Sequence, residues 1–541
     1  MSVRNAFTLF LALSTLALLA GCGNGSGITN PVAPPSGGFS KSNLNGTYIF
    51  SVSGLDSGGF SIAMVGTLNA NGNGGITGGT MDINDDNFSA PIPNIAIGSN
   101  SSYSVGVDGR GTATLRVSTP FGSSITLDFV LTSSSHGFVI QFDGNATGSG
   151  TLDLQTAGLT QSALAGSYAF SLFGVDSAGT GNFATVGNFT LDPTGTITAG
   201  LEDFNDNGLL VFTGETLGGQ VILGPSATPS TLLTTTPYAE TFDVFAIDAT
   251  HLKFIEMDTL PILSGDAFSQ TSTTVPTGPL AFTLSGFIAG NPFASGGFMI
   301  TDGAGNITGA STEDFNSNGT PGSSPSFSGI YTAGGAGRFT VGSFSNFVGG
   351  SQFAAYPSSG GLLLMEIDTS SVGILSGAAY AQTSGAAFAA SQGYGLNLSG
   401  INLGAATGSS EEVDDIAEFS ANSTGLTVTG LIDENYAPTG APIFDQKLNG
   451  TYSGPDTSGR YGIVATAGNS TTSTLNGGFG LAFYAVDGTT FPFIETDSNG
   501  QVATGVFVKQ NSADPGSAAA QSHMFISRPL IRPHAAHQKE K

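Results

Sequence analysis

A fourfold internal repeat constrains the fold of this chain more than any other feature of the sequence. The repeats open at Gly46-Thr47-Tyr48-Ile49-Phe50, Gly166-Ser167-Tyr168-Ala169-Phe170, Gly278-Pro279-Leu280-Ala281-Phe282 and Gly393-Tyr394-Gly395-Leu396. Each opening leads to a further glycine, at Gly54, Gly174, Gly286 and Gly400. Self-similarity at a regular period indicates one structural unit that is used several times.

Four polar marks recur in the same order inside these repeats. An Asp-x-Asn pair occurs at Asp82/Asn84, Asp203/Asn205, Asp314/Asn316 and Asp433/Asn435. A Gly-Arg pair then places Arg110, Arg338 and Arg460 in the first, third and fourth repeats, whereas the second repeat lacks it. An acid-x-Asp pair follows at Glu256/Asp258, Glu366/Asp368 and Glu495/Asp497, with Gln141/Asp143 in the first repeat. Each repeat ends on Gly-x₄-Gln, at Gln155, Gln270, Gln382 and Gln510.

The composition favours β-structure in every repeat. The chain contains 81 glycines and only 10% charged residues, so good helix formers are scarce. Short apolar segments alternate with turn residues, which is typical of strands. In the first repeat we predict eight strands near 47–53, 60–69, 75–82, 102–107, 112–118, 124–132, 137–143 and 149–155.

Short links between successive strands indicate antiparallel pairing. We therefore predict an all-β protein of tandem up-and-down barrels or barrel-like sandwiches, since closing the sheet removes exposed edges. The alternative is an eight-bladed β-propeller, with two four-stranded blades in each repeat.

The predicted segments follow the repeats along the chain. They are a signal peptide at 1–21, a flexible tether at 22–43, β repeats at 44–160, 161–275, 276–387 and 388–511, and a disordered basic tail at 512–541. Gly and Pro enrichment in the tether is typical of linkers.

The N-terminus has the features of an exported protein. Arg4 precedes an apolar run from Ala6 to Ala20, which is short for a membrane span and ends at Leu19-Ala20-Gly21-Cys22. This segment resembles the lipobox of bacterial membrane lipoproteins. The resemblance implies cleavage before Cys22 and acylation of that cysteine with lipid chains such as palmitate. Cys22 is the only cysteine in the chain. Because residue 23 is Gly rather than Asp, the resemblance favours the outer membrane over the inner one in a cell with two membranes.

The charge balance excludes one class of partner. The chain carries 39 acidic and 13 basic residues, for a formal net charge of −26. Nucleic-acid binding needs basic patches, so we expect no nucleic-acid partner. The expected partners are membrane lipid, through Cys22, and an unknown protein or glycan of the envelope.

The Asp-x-Asn segments are candidates for a calcium site. Carboxylate and amide oxygens at alternate positions of a tight loop can converge on Ca²⁺. The candidate ligands are Asp82, Asn84, Asp86, Asp203, Asn205, Asn207, Asp314, Asn316 and Asn318. An EF-hand is excluded, because Pro93, Gly214 and Pro325 occupy the position of its last glutamate. The alternative is that Asp and Asn cap their own backbone in a turn.

The recurring charges suggest structural ion pairs. Residues two apart on a strand face the same side, so each Glu-x-Asp pair presents two carboxylates together. We predict one cation per barrel, with Arg110, Arg338 and Arg460 pairing with those carboxylates and Lys253 replacing the missing arginine. Paired carboxylates can also hydrolyse glycosides, but three copies favour a structural role.

We predict no catalytic site. The sequence contains no Gly-x-Ser-x-Gly and no His-Glu-x-x-His motif. His136 and His251 are the histidines of the repeat region, and we place them at different positions of their repeats. The predicted function is therefore a structural, adhesive or interaction role at the envelope, without enzymatic activity or a cofactor other than possible Ca²⁺. The alternatives are a lipoprotein that binds small ligands or carbohydrate inside its barrels, and an envelope hydrolase.

Overall fold

β-Strands form nearly all of the fold in the computed structural model of this chain. The structure describes residues 38–120, 122–176, 181–223, 230–234, 240–369, 373–403, 410–438, 442–467, 479–498 and 500–513, and at 230–234 and 467 it describes the backbone alone. The predicted signal peptide, Cys22, the tether up to residue 37 and the tail from residue 514 lie outside these residues. Within the described part, no helix is long and apolar enough to cross a bilayer.

The first repeat folds into a ring of strands after a short 3-10 helix at Lys41–Asn43. Its strands are β1 (Asn45–Asp56), β2 (Ser61–Asn71), β3 (Gly75–Asp85), β4 (Ile92–Ile97), β5 (Ser101–Tyr103), β6 (Arg110–Thr119), β7 (Gly122–Leu131), β8 (His136–Gln141) and β9 (Ala146–Leu154). β1 pairs with both β2 and β9, and β2 pairs with β3, so the sheet returns to its start. All of these pairings are antiparallel, which matches the short connections.

The second repeat begins with a 3-10 helix at Gln161–Leu164. Its strands are β10 (Gly166–Val175), β11 (Asn182–Leu191), β12 (Ile197–Asp206), β13 (Leu210–Thr216), β14 (Val221–Ile222), β15 (Ser230–Thr234), β16 (Glu240–Ala246), β17 (His251–Glu256) and β18 (Ile262–Ser269). They form one nine-stranded sheet with β13 and β14 at its ends. A bridge between Thr196 and Gln220 brings β14 back beside the start of β12.

The third and fourth repeats are closed eight-stranded barrels. The third consists of β19 (Gly278–Ile288), β20 (Asn291–Thr301), β21 (Asn306–Ser317), β22 (Thr320–Gly335), β23 (Arg338–Ser345), β24 (Gln352–Ser358), β25 (Gly361–Glu366) and β26 (Leu375–Ala381). The fourth consists of β27 (Gly393–Asn402), β28 (Glu411–Asn422), β29 (Thr427–Ala437), β30 (Ile443–Ser453), β31 (Arg460–Ala467), β32 (Phe479–Tyr484), β33 (Thr490–Glu495) and β34 (Gln501–Lys509).

The predicted fold class is confirmed, and the propeller alternative is wrong because the strands of each repeat form one sheet instead of two four-stranded blades. In the first repeat, the eight predicted segments correspond to eight observed strands, whereas β4 was not predicted. Pro91 and Pro93 flank its first residue, and proline argues against a strand from sequence. The strand exists because it pairs with β3 over Ile92–Ile97.

Alternate residues of each strand fill the barrel interior. On β1, Tyr48, Phe50 and Val52 belong to the core of the first barrel, whereas Ile49 is equally buried on the outer face. The segment before each barrel adds an apolar residue to that core, such as Leu44 in the first barrel and Leu164 in the second. Where two barrels meet, the outer faces of the strands are buried as well and contribute apolar residues.

The buried outer faces join the four barrels into a closed ring. Strand β2 packs on β17 and β18, strand β11 on β24 and β25, strand β20 on β32, β33 and β34, and strand β28 on β7, β8 and β9. Each barrel thus presents its second strand to the last strands of the next. The fourth barrel returns to the first, where Ile416 and Val508 pack with Val130 and Phe138. We call each of these four interfaces a joint.

Candidate functional site at the joints between barrels

The asparagine of each Asp-x-Asn pair crosses a joint. Its side-chain Nδ2 donates a hydrogen bond to a backbone oxygen of the next barrel, at the first residue of the acid-x-Asp pair. The four bonds are Asn84 to Glu256 (2.8 Å), Asn205 to Glu366 (2.8 Å), Asn316 to Glu495 (3.3 Å) and Asn435 to Gln141 (2.8 Å). The last bond runs from the fourth barrel to the first, so the same contact occurs at every joint of the ring.

The glutamine that ends each repeat forms a second hydrogen bond across the same joint, at a different place from the asparagine. Its Nε2 donates to a backbone oxygen of the next barrel, in the bonds Gln155 to Ala246 (2.9 Å), Gln270 to Pro357 (2.9 Å), Gln382 to Ala485 (2.7 Å) and Gln510 to Leu131 (2.9 Å). A buried backbone oxygen without a donor is costly, so each glutamine satisfies a group that packing would otherwise leave unpaired. These two amide contacts therefore specify how neighbouring barrels dock.

The arginines also act between barrels, which corrects the pairing predicted from the sequence. Arg338 donates from Nε and Nη2 to Asp203 of the preceding barrel, at 2.6 to 2.9 Å. Arg460 pairs with Asp314 at 2.7 Å, and Arg110 pairs with Asp433 of the fourth barrel at 2.5 Å. The structure thus pairs each arginine with an Asp-x-Asn aspartate rather than with a Glu-x-Asp carboxylate.

Tyrosines complete two of these ion pairs. Tyr356 donates its hydroxyl to Asp203, and Tyr484 donates to Asp314 at 2.6 Å. Both aspartates therefore receive an arginine and a tyrosine from the next barrel. Burial without such partners would be unfavourable for a carboxylate, and the charge-assisted bonds offset that cost.

The aspartate side chains of the acid-x-Asp pairs form hydrogen bonds within their own barrels and link neighbouring strands. Each aspartate accepts a backbone N–H from the strand alongside, as in Thr126 to Asp143 (2.9 Å), Thr241 to Asp258 (2.6 Å), Ser351 to Asp368 (2.8 Å) and Gly480 to Asp497. In the first repeat, the Gln141 amide also donates to Asp143 at 3.1 Å. In this repeat the first residue of the pair is thus a hydrogen-bond donor to the aspartate.

In two glutamates of these pairs, Glu256 and Glu366, burial favours the protonated form and raises the pKa. Burial, with the neighbouring Asp368 carboxyl adding to the effect, raises the pKa of Glu366 to about 9. Burial also raises the pKa of Glu256 well above its ordinary value, with Glu240 and Asp258 adding to the effect. A protonated glutamic acid can donate as Gln141 does. The arginines of the predicted charge pairs are thus not needed to neutralise Glu256 and Glu366.

The joint between the first and second barrels differs, because the second repeat has no arginine to offer. Asp82 is fully buried and accepts the Asn94 N–H at 2.6 Å. Burial, followed by the nearby Asp243 carboxyl, raises the pKa of Asp82 to about 7. The cation of this joint is Lys253, which lies 2.9 Å from Asp266 and 3.5 Å from Asp153 of the first barrel. Lys253 therefore bridges two barrels. The pairing of Lys253 with Glu256 that the sequence suggests is wrong.

The two histidines occupy the same position of their repeats, which corrects the sequence assignment. His136 opens β8 and His251 opens β17. His136 contacts Asp153 and His251 contacts Asp266, each at 2.7 Å. Burial opposes ionisation of Asp153, but Lys253 and His136 lower its pKa overall. Both histidines thus bind the aspartates that also hold Lys253 across the joint.

The candidate calcium ligands lie mostly on strands instead of in a single loop. Asp203 and Asn205 are on β12, and their side chains contact the third barrel. Asn205 Oδ1 also accepts the Gly208 N–H at 2.7 Å, and Asn207 has a φ of 50°, as expected for the capped-turn alternative. Among the described residues, no group of three or more His, Cys, Asp or Glu is arranged to hold a metal ion. Calcium binding by Asp82, Asn84, Asp86 and their counterparts stays a prediction.

Sequence comparisons do not place the chain in a family. No family model and no curated protein matches it. Among solved structures, transferrin binding protein B of Neisseria meningitidis serogroup B is similar at 11% identity and a TM-score of 0.18, over 69% of this chain and 83% of that one. A mutant of transferrin binding protein B from Haemophilus parasuis is similar at 9% identity and a TM-score of 0.21, over 69% and 83% of the two chains.

Proposed function

We propose that the protein is a lipid-anchored envelope protein whose ring of four barrels is a non-catalytic structural or interaction scaffold. The observation that carries this proposal is the use of the recurring polar residues. The Asp-x-Asn pairs, the Gly-Arg arginines and the terminal glutamines all bind a neighbouring barrel. The recurring polar residues thus build the assembly, and they are not gathered at a common reaction centre.

The proposed anchor is Cys22, on the strength of the lipobox resemblance. Several acyl chains on one residue hold a protein stably at a membrane, at about 0.8 kcal/mol for each buried CH₂. The glycine- and proline-rich residues that follow give the ring reach from the bilayer surface. We propose the outer membrane as the site, and a protein or glycan of the envelope as the partner.

Aromatic packing inside the barrels counts against the alternative of a small-ligand carrier. In the fourth barrel, the Phe388 ring lies 4.9 Å from Tyr394 and 5.5 Å from Phe491 between ring centroids. In the third barrel, Phe347 lies 4.7 Å from Phe344 and 5.0 Å from Phe327. Rings at such separations pack directly against one another, so these interiors serve as cores.

The hydrolase alternative is weakened by the state of its carboxyl pairs. Glycoside hydrolysis requires one acid and one carboxylate that face a substrate. Asp368 instead accepts the backbone N–H and hydroxyl of Ser351, and Glu366 accepts the Leu375 N–H at 2.9 Å in a buried setting. These carboxyls hold strands together.

The proposed function is tested by separating anchor and ring in cells. Cys22→Ala should move the protein from the membrane fraction to the soluble fraction, and the released protein should keep its cooperative unfolding transition. Treatment of intact cells with a protease, with and without permeabilisation, shows whether the ring faces outward. Retention of Cys22→Ala in washed membranes would contradict the anchor. Turnover of envelope glycans or peptides by the purified ring would contradict a non-catalytic scaffold.

A further inference from the structure

The joint between the fourth and first barrels is the one that the chain does not span. Short connections link the first barrel to the second, the second to the third and the third to the fourth, between residues 154 and 166, 269 and 278, and 381 and 393. The fourth barrel meets the first only through side-chain and backbone contacts, such as Gln510 to Leu131. We call this interface the closing joint. Its separation would require no break in the chain.

Acidic residues replace small ones at the centre of the closing joint. On the second strand of each barrel, the residue that pairs with the Asp-x-Asn asparagine is Ala63, Ala184, Ala294 or Asp414 in chain order. Asp414 is fully buried and accepts the Thr147 hydroxyl of the first barrel at 3.0 Å. Two residues earlier on the same face, Glu412 is 1% exposed, and within the described part of the chain neither of its carboxyl oxygens has a hydrogen-bond partner.

More carboxyls surround the same interface than its cation can neutralise. Arg110 already holds Asp433 at 2.5 Å and Asp445 at 2.7 Å. Asp128 lies near both of these aspartates and Arg110, and Glu418 lies near Asp108 and Arg110. The titratable and charged groups that face the closing joint are Glu412, Asp414 and Glu418 on β28, Asp433 on β29, Asp445 on β30, Asp108 before β6, Arg110 on β6 and Asp128 on β7.

The other joints with an arginine are better compensated. Asp203 receives Arg338 and Tyr356, and Asp314 receives Arg460 and Tyr484. In the strand register, Tyr484 lies opposite Arg460 on the neighbouring strand. The residue opposite Arg110 in the closing joint is Val130, which has no hydroxyl to donate. The closing joint therefore combines several buried acids with one cation and no tyrosine donor at that position.

We propose that the closing joint is a pH-dependent clasp, which stays shut at acidic pH and opens as the pH rises, converting the ring into an open chain of four barrels. Separation would expose the apolar faces that now pack together, including Ile416 and Val508 of the fourth barrel and Phe138 and Ile140 of the first. An apolar surface of this kind is typical of a binding face, so opening would change what the scaffold can contact.

The direction of the switch follows from the buried acids. Burial raises the pKa of Asp414 to about 7, and burial also raises the pKa of Asp128 to about 7, with Asp433 adding to the effect. Burial and then Asp108 raise the pKa of Glu418 to about 8. An acid whose pKa is raised in the closed state stabilises that state fully at low pH. The stabilisation is lost as the pH climbs from the ordinary carboxyl range through about 7 to 8.

Matched backbone amides report on the clasp. The Asn511 N–H donates to Thr132 across the closing joint at 2.7 Å, and the Thr383 N–H donates to Val486 across the third joint at 2.8 Å. Hydrogen exchange of both amides in the full-length protein, corrected for intrinsic rates, should be followed from pH 5 to pH 9. We expect the protection of Asn511 relative to Thr383 to fall by at least ~10-fold between pH 5 and pH 8, because one unit of pKa shift corresponds to a tenfold change.

Two variants separate the clasp from general alkaline loosening. Asp414→Ala with Glu412→Ser introduces the residues that the first repeat has at these positions, Ala63 and Ser61, and should reduce the relative loss of protection. Ala294→Asp places an acid at the matching position of the third joint and should give Thr383 a pH dependence of its own. Circular dichroism at pH 5 checks that each variant is folded. The proposal would be overturned if the ratio of Asn511 protection to Thr383 protection did not change with pH. It would also be overturned if the double variant kept the full pH response of the wild type.

Discussion

Removal of the Arg338 side chain should destabilise the protein strongly. Asp203 is fully buried, and its carboxylate receives three close contacts from Nε and Nη2 of Arg338. Arg338→Ala leaves that carboxylate with the Tyr356 hydroxyl and the Gly214 N–H as donors. Breaking a buried ion pair from one side costs about 3–5 kcal/mol, whereas a surface pair contributes about 0–1 kcal/mol. We expect Arg338→Ala to lower the free energy of unfolding by about 3–5 kcal/mol.

A double-mutant cycle supplies the magnitude of the pair itself. Urea denaturation of the wild type, Arg338→Ala, Asp203→Asn and the double variant gives four free energies of unfolding. The double variant should be more stable than Arg338→Ala, because Asp203→Asn removes the uncompensated charge. Arg116 is exposed on β6, so Arg116→Ala serves as the control and should change stability by less than about 0.5 kcal/mol. A loss below about 1 kcal/mol for Arg338→Ala would refute the role of Arg338 in the joint.

Three further outcomes test other parts of the account. Gln382→Ala should cost about 1–3 kcal/mol in urea denaturation, because it leaves the Ala485 oxygen without its amide donor; no loss would mean that water replaces it freely. Glu366→Gln should preserve the melting temperature near pH 6, whereas Glu366→Ala should lower it. Since the pKa of Glu366 is raised to about 9, its contribution is complete in acid and fades as the pH rises through 9, and the Gln variant should lack that decline. Calcium binding by the Asp-x-Asn segments predicts a higher melting temperature in millimolar Ca²⁺ than in EDTA, and equal values would exclude it.

The barrel architecture could be predicted because it depends on local signals. Turn residues, alternating apolar residues and short links specify antiparallel strands wherever they occur, and the repeat supplied four copies of the pattern. The β4 strand escaped prediction for a related reason. Prolines at 91 and 93 oppose a strand locally, and only the pairing of β4 with β3 overrides them.

The joints could not be derived from one repeat at a time. The arginines were expected to pair within a barrel, but Arg110 and Asp433 meet although 323 residues separate them in the chain. Recurrence identifies important residues without saying which copy of the repeat holds the partner. One signal was available: His136 lies five residues before Gln141, and His251 lies five residues before Glu256, so the two histidines occupy equivalent positions.

The closed ring is tested most directly by a disulfide across the joint that the chain does not span. Ser149 of the first barrel and Asn397 of the fourth have side-chain oxygens 2.8 Å apart. In a protein with Cys22→Ser, dithiodipyridine at pH 5 should oxidise the pair Ser149→Cys and Asn397→Cys to an intramolecular disulfide, while the reagent is reduced to two thiopyridones. No free thiol should then be left for a maleimide reagent. Two reactive thiols in a folded monomer at that pH would contradict the ring.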